Sequence, residues 1–190
     1  MMLDPNTVQV LFADLQPQIV ARSKTNPPEA LARSAAVLAQ IARLLHLPMH
    51  LSVVPEGGQP PELIPEMARE AEGVGEYPRM SASPFLDEAT RVAIATTRFA
   101  TEAVVLHAVR DAIAAGYQAY LPVDACGGMS SRTEDAAFRQ IEAAGGITTS
   151  VVTLVTALAP DFSTDLGGKA FGILKSLRGI DHTRSERLGA

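Results

Sequence analysis

The sequence predicts a doubly wound α/β fold, a parallel sheet with helices on both faces. Two observations carry this expectation. Short apolar, partly β-branched runs stop abruptly at a carboxylate or a turn, as strands buried on both faces do. Between them stand stretches whose apolar residues recur at helical spacing. With 190 residues, 47% of them hydrophobic and 19% charged, the chain is long enough for one domain with a sizeable core and sits inside the globular range. A single domain is expected over 1–190.

Residues 8–13, Val-Gln-Val-Leu-Phe-Ala, form the first expected strand, which stops at Asp14. Asn26-Pro27-Pro28 then signals a helix start, and Leu31, Ala35, Leu38, Ile41, Ala42 and Leu45 line one face of the helix that follows. Residues 49–54 read as a second strand, ended by Pro55-Glu56-Gly57-Gly58. From 55 to 84 the chain is rich in proline and glycine, with only a short helical pattern at 64–70, so a long surface excursion is expected. Residues 91–97 form a third strand. Thr101 caps a helix carrying Val104, Val105, Ala108, Val109, Ala112 and Ile113, which Gly116 ends. A fourth strand over 118–123 closes at Asp124, a helix spans 133–144, and a short fifth strand covers 147–149. A helix over 151–158 capped by Ser150 and a last one over 169–177 complete the pattern.

Composition narrows the function. The net charge of −5, with no run of either sign, argues against a surface that tracks phosphates, so no nucleic-acid partner is expected. No apolar stretch reaches the roughly 20 residues a membrane helix needs, and the first residues lack the pattern of a signal peptide; no membrane association and a cytoplasmic location are expected. The four histidines show no metal-binding spacing, and one cysteine cannot make an internal disulfide or a multi-cysteine metal site. The Gly-Gly pairs lack the spacing and the following lysine of a phosphate-binding loop. Neither metal nor cofactor is expected, and a small molecule is the expected ligand.

In a doubly wound sheet, ligands bind beyond the carboxyl ends of the strands. Those ends offer Asp14, the turn before Thr101, and Asp124 with Cys126. Asp14 follows an apolar strand, where a carboxylate is costly unless hydrogen-bonded or used as an acid or base; a turn-forming Asp is the alternative. Thr101-Glu102 opens a helix whose free N–H groups suit an anion, although capping alone also explains Thr101. Cys126 precedes a glycine pair in a turn, but no clear helix start or cation stands near enough to stabilise a thiolate, which favours a small buried residue. Arg79, in the long excursion, is a candidate cation over the crevice.

These segments together resemble the isochorismatase-like cysteine hydrolases. The resemblance covers about residues 7–160 and leaves 161–190 as a helical extension and tail. It rests on Leu11-Phe12-Ala13-Asp14-Leu15-Gln16, on Thr101-Glu102, and on Ala115-Gly116-Tyr117 through Val123-Asp124-Ala125-Cys126-Gly127. Ala143-Ala144-Gly145-Gly146 followed by Thr148-Thr149-Ser150 also fits. Pro55-Glu56-Gly57-Gly58 stands where nicotinamidases carry metal-binding histidines. The resemblance implies a homo-oligomer and a triad of Asp, Lys and Cys. Asp14 matches the Asp, the Lys position falls near Arg79, and the nucleophile position falls on Val104. It places Gln16, Thr101, Glu102 and Ala103 around the ligand. Cys126 matches a position after the next strand that is not the nucleophile. A valine cannot attack a carbonyl, and an arginine cannot shuttle a proton as lysine does. Three readings follow. The first is a hydrolase without a thiol, with Asp14 as acid or base, Arg79 on an anionic group, and the amides near Ala103 and Val104 polarising the substrate. The second is a catalytically silent relative that binds a ligand or a partner. The third, a displaced nucleophile at Cys126, is the least favoured.

Overall fold

The structure, a computed structural model, describes residues 2–55, 62–78, 80–83 and 102–177. Arg79, Thr101 and the strand expected over 91–97 lie outside the described residues, as do the side chains of Glu102, Ala103 and Val104. The described strands are β1 (Val10–Ala13), β2 (Met49–Val53), β3 (Gly75–Pro78), β4 (Tyr120–Pro122) and β5 (Ile147–Thr149). The described α-helices are α1 (Pro17–Val20), α2 (Pro28–Leu44), α3 (Pro65–Glu70), α4 (Glu102–Ala114), α5 (Ser131–Ala143), α6 (Val151–Leu158) and α7 (Asp165–Leu174).

The fold is of the expected doubly wound α/β class, and every described strand pairing is parallel. β1 pairs with β2 in the register Val10↔Met49 to Ala13↔Ser52, and β2 pairs with β3 from His50↔Gly75 to Val53↔Pro78. β4 pairs with β5, Tyr120 opposite Ile147. Parallel neighbours need a crossover, and α2 supplies the first one. Its nine buried residues run from Leu31 to Ala42 on one stripe, against Val10, Phe12 and Leu51 of the sheet. The same core takes in Val151 and Val155 of α6 and Ala170 and Leu174 of α7. A second core joins Val105, Ala108, Val109 and Ala112 of α4 to Ala119, Leu121, Cys126 and Ile141.

Several boundaries move for identifiable reasons. The excursion 55–84 contains β3, whose residues are mostly exposed and carry no apolar alternation, so the sequence pattern hides it. α3 precedes it as expected, and α2 pins the helix end: Arg43 Nε donates to the Glu70 carbonyl at 2.7 Å and its Nη2 to that of Glu72 at 2.6 Å. α5 begins two residues before the expected 133, because the Ser130 hydroxyl accepts from the Thr133 N–H at 3.2 Å. α6 has the expected bounds, with Ser150 accepting from the Thr153 N–H at 3.1 Å. The last helix starts at Asp165 rather than 169, capped by Thr164, which accepts from the Gly167 N–H at 3.0 Å. Gly167 and Gly168, left outside the expected helix, lie inside α7. A Cβ at Gly167 would collide with the Asp161 carbonyl, so this helix needs a glycine there.

Candidate functional site

The carboxyl ends of β1 and β4 face a cleft of about 550 Å3. One wall is the turn after β1, with Ala13, Asp14 and Leu15; the other is Gly127-Gly128-Met129, with Thr133 and Ala137 of α5 behind it. Ile19, Arg22, Ser23 and Leu31 close the floor. The linings are mostly apolar, with Asp14 and Arg22 as the charged groups among the described residues that face it. A smaller cavity of about 280 Å3 lies at the other ends of the strands, beside Val10 and Tyr120 and away from Asp14. The larger cleft is the candidate site because it occupies the end of a parallel sheet where ligands bind.

Asp14 is held in an uncommon backbone conformation. Its φ is 59°, in the left-handed region that non-glycine residues adopt at a cost. The surroundings fix it: the Asp14 N–H donates to the Ser52 carbonyl at 2.9 Å, continuing the β1–β2 ladder, and the Gln16 N–H donates back to the Asp14 carbonyl at 2.8 Å. Gln16 is fully buried. Its Nε2 donates to the Val54 carbonyl at 2.9 Å and its Oε1 accepts from the Val54 N–H at 2.8 Å. The Gln16 amide therefore stands in for a strand neighbour and ties the turn carrying Asp14 to the end of β2.

The opposite wall is sewn to the segment after α1. Asn26 Nδ2 donates to the carbonyls of Val123 and Cys126 at 3.0 and 2.6 Å. The Gly128 N–H donates to the Thr25 hydroxyl at 2.7 Å, and that hydroxyl donates to Glu134 at 2.9 Å. The Lys24 N–H reaches the Gly128 carbonyl at 2.7 Å. Gly127 lies so close to Ser23 and Leu31 that a Cβ there would collide with both. This stitching brings Arg22 to the cleft. Sequence reasoning placed the cation at Arg79 and passed over Arg22, whose surroundings in the chain carry no motif; only the long-range bonds of Thr25 and Asn26 bring it to the site.

Cys126 and Asp124 have structural partners instead. Cys126 is completely buried in the second core, its Sγ donating to the Pro122 carbonyl at 3.2 Å. Asp124 accepts from the Val151 N–H at 2.9 Å, so it caps the start of α6. Glu102, Ala103 and Val104 occupy the first turn of α4. Among the described residues no three His, Cys, Asp or Glu side chains gather to hold a metal ion, and no helix is long and apolar enough to cross a membrane.

Comparison with known proteins adds the lineage. Residues 8–152 match the isochorismatase domain. The chain belongs to that family. No curated protein matches the sequence, but solved structures of the isochorismatase fold superpose on it closely. YcaC from Pseudomonas aeruginosa, with hexane-2,5-diol and covalent acrylamide, is 23% identical with a TM-score of 0.85, covering 100% of this chain and 98% of that one. The ycaC gene product from Escherichia coli, described as an octameric hydrolase of unknown specificity, is 22% identical with a TM-score of 0.83, over 99% and 98% of the two chains. MAR1 ribonuclease from Caenorhabditis elegans is 21% identical with a TM-score of 0.81, over 92% of each chain. At these identities the likeness shows the fold, which the isochorismatase-domain chain described here shares from end to end with both YcaC structures.

Proposed function

We propose that the protein is an isochorismatase-family hydrolase that acts on a small molecule without a cysteine nucleophile, with Asp14 as its acid or base. The observation that carries this reading is Asp14 itself. Its carboxylate sits on the wall of a largely apolar cleft, in a left-handed conformation that two main-chain bonds and the Gln16 clamp maintain. Strain kept at such a position accords with a role for the side chain. Among the described residues Arg22 is the cation at the cleft that could meet an anionic substrate group, beside the Arg79 expected from the sequence. The first-turn amides of α4, at Ala103 and Val104, are the groups that would polarise the substrate. A general acid suits a bond whose cleavage needs protonation and water but no covalent intermediate. The burial of Cys126 and its bond to Pro122 agree with a chemistry that does not use it.

The test is turnover against a panel of small anionic vinyl ethers, esters and amides. Asp14→Asn is expected to remove activity, by a factor of 10² or more on the scale of a lost acid or base, and Cys126→Ser to leave it in place. Activity that survives Asp14→Asn overturns the reading. A second reading is supported by Val104 at the position the family uses for its nucleophile: a silent relative that keeps the cleft for binding. It requires that the unmodified chain turn over nothing on the panel and that Val104→Cys with Arg79→Lys be needed before an amide or ester is cleaved. A homo-oligomer in a cytoplasmic setting completes the proposal; the octameric state of the E. coli relative supports the oligomer.

A further inference from the structure

The cavity of about 280 Å3 beside Val10 and Tyr120 lies at the end of the strands away from Asp14. Its inner walls include Val10 of β1, Leu38 of α2 and Leu158 of α6, all buried in the first core. The chain before β1 closes one side. There the Leu3 N–H donates to the Ala157 carbonyl at 2.9 Å. Asp4 caps the 3-10 turn Pro5–Thr7, its Oδ1 accepting from the Asn6 N–H at 3.0 Å. An apolar cavity of about 150 Å3 already takes up benzene, so this one has room for a ring with a substituent.

Gln9 is the residue that points to a ligand. It interrupts an apolar run, Val8-Gln9-Val10-Leu11-Phe12, lines the cavity and is only 7% exposed. Its Oε1 is closed to water and accepts no hydrogen bond among the described residues. Buried side-chain acceptors nearly always have a partner, because taking one out of water without replacing its hydrogen bond is unfavourable. An apolar side chain would fill the same place without that cost. No hydrogen bond fixes the amide to the described residues, so a turn about its last torsion offers the oxygen to a donor in the cavity. Charge then limits what can enter. Asp4 is the charged group among the described residues that line the cavity, and no Lys, Arg or His stands with it. An anion would meet that carboxylate with no cation to offset it.

We propose that this cavity binds a small, largely apolar molecule that carries a hydroxyl or amine donor and no negative charge. Its body packs between Val10, Leu38 and Leu158, and its donor pairs with Gln9 Oε1. The site is separate from Asp14 and stands whether or not that residue is catalytic.

The test is methyl NMR of the full chain, labelled at leucine and valine and titrated with benzyl alcohol, toluene and benzoate. Benzyl alcohol is expected to shift Leu38, Leu154 and Leu158 with saturation in the millimolar range, and benzoate to leave these methyls in place. Leu15 and Leu31, which line the Asp14 cleft, report any binding there instead. Gln9→Leu is expected to weaken benzyl alcohol about fivefold relative to toluene, the scale of one hydrogen bond. Should that variant not fold, Leu154→Trp, at a half-buried position on the cavity wall, is expected to fill the space and abolish the shifts at Leu38 and Leu158. No saturable shift at these leucines below about 10 mM, or shifts at Leu15 and Leu31 alone, overturns the site. Benzoate that binds there as tightly as benzyl alcohol overturns the ligand class. An unchanged ratio to toluene in Gln9→Leu, or unchanged shifts in Leu154→Trp, overturns the placement of the ligand against Gln9.

Discussion

Gln16 holds the turn that presents Asp14, and the cost of losing it follows from what its amide touches. Both hydrogen bonds go to the main chain of Val54, and the side chain is fully buried. Gln16→Leu keeps the bulk but leaves the Val54 N–H and C=O without these partners, which is expected to lower stability by about 2 kcal/mol. Urea denaturation checks this, and a midpoint equal to the native one would show that the clamp is dispensable. Residues of this kind divide by how locally their meaning is written. Asp14 is legible because a carboxylate ending an apolar strand stands out in the sequence itself. Gln16 is legible only in part: its place beside Asp14 is visible, but its partner lies 38 residues away. Arg22 is not legible at all, since an exposed arginine after a four-residue helix looks ordinary until Thr25, Asn26 and Gly128 are seen to hold that segment across the cleft.

Elements with a strong period or a clear cap are the ones the sequence places well. α2 and α6 lie where spacing and Ser150 predict them, whereas β3, outermost of the described strands beside β2, is a segment of Gly75-Glu76-Tyr77-Pro78 that pairs with β2 and shows no pattern of its own. α7 begins earlier than its sequence indicates because Gly167 answers to the nearby Asp161 carbonyl rather than to helix propensity. The start of α6 joins the two kinds of information. Ser150 supplies the local cap, and Asp124, at the end of the β4 turn, supplies a carboxylate to the Val151 N–H. Asp124→Ala removes a negative group from a helix N-terminus and leaves that N–H unpaired, so a loss of about 1 kcal/mol is expected. Thermal unfolding of Asp124→Ala beside Asp124→Asn separates the causes: the Asn side-chain oxygen can still accept from the Val151 N–H and should restore part of the loss. An equal loss in both variants would assign the effect to the charge instead.

Across the whole molecule, the pH dependence of stability has an identifiable contributor in the first sheet. His50 lies on β2 with its ring 5.8 Å from that of Tyr77, and both of its nitrogens are closed to solvent without a hydrogen-bond partner. Removal from water holds its pKa below the ordinary 6.5. The unfolded chain therefore binds a proton at His50 more readily than the folded one. This contribution to stability is fully present above pH 6.5 and is lost as the pH falls from 6.5 towards the folded pKa. Urea midpoints between pH 8 and pH 5 are expected to fall for the native chain and to fall less for His50→Phe; parallel curves would remove His50 from the account.

The sealed position of Cys126 has a practical side as well. The chain holds one cysteine and no tryptophan, and that cysteine is walled into the core beside Leu121 and Ile141. A maleimide dye or a nitroxide offered to the folded protein will therefore find a newly introduced surface thiol and pass over the native one. With the wild-type background already blank to such reagents, a single added cysteine on the rim at Met129 turns the mouth of the cleft into a site for one reporter group.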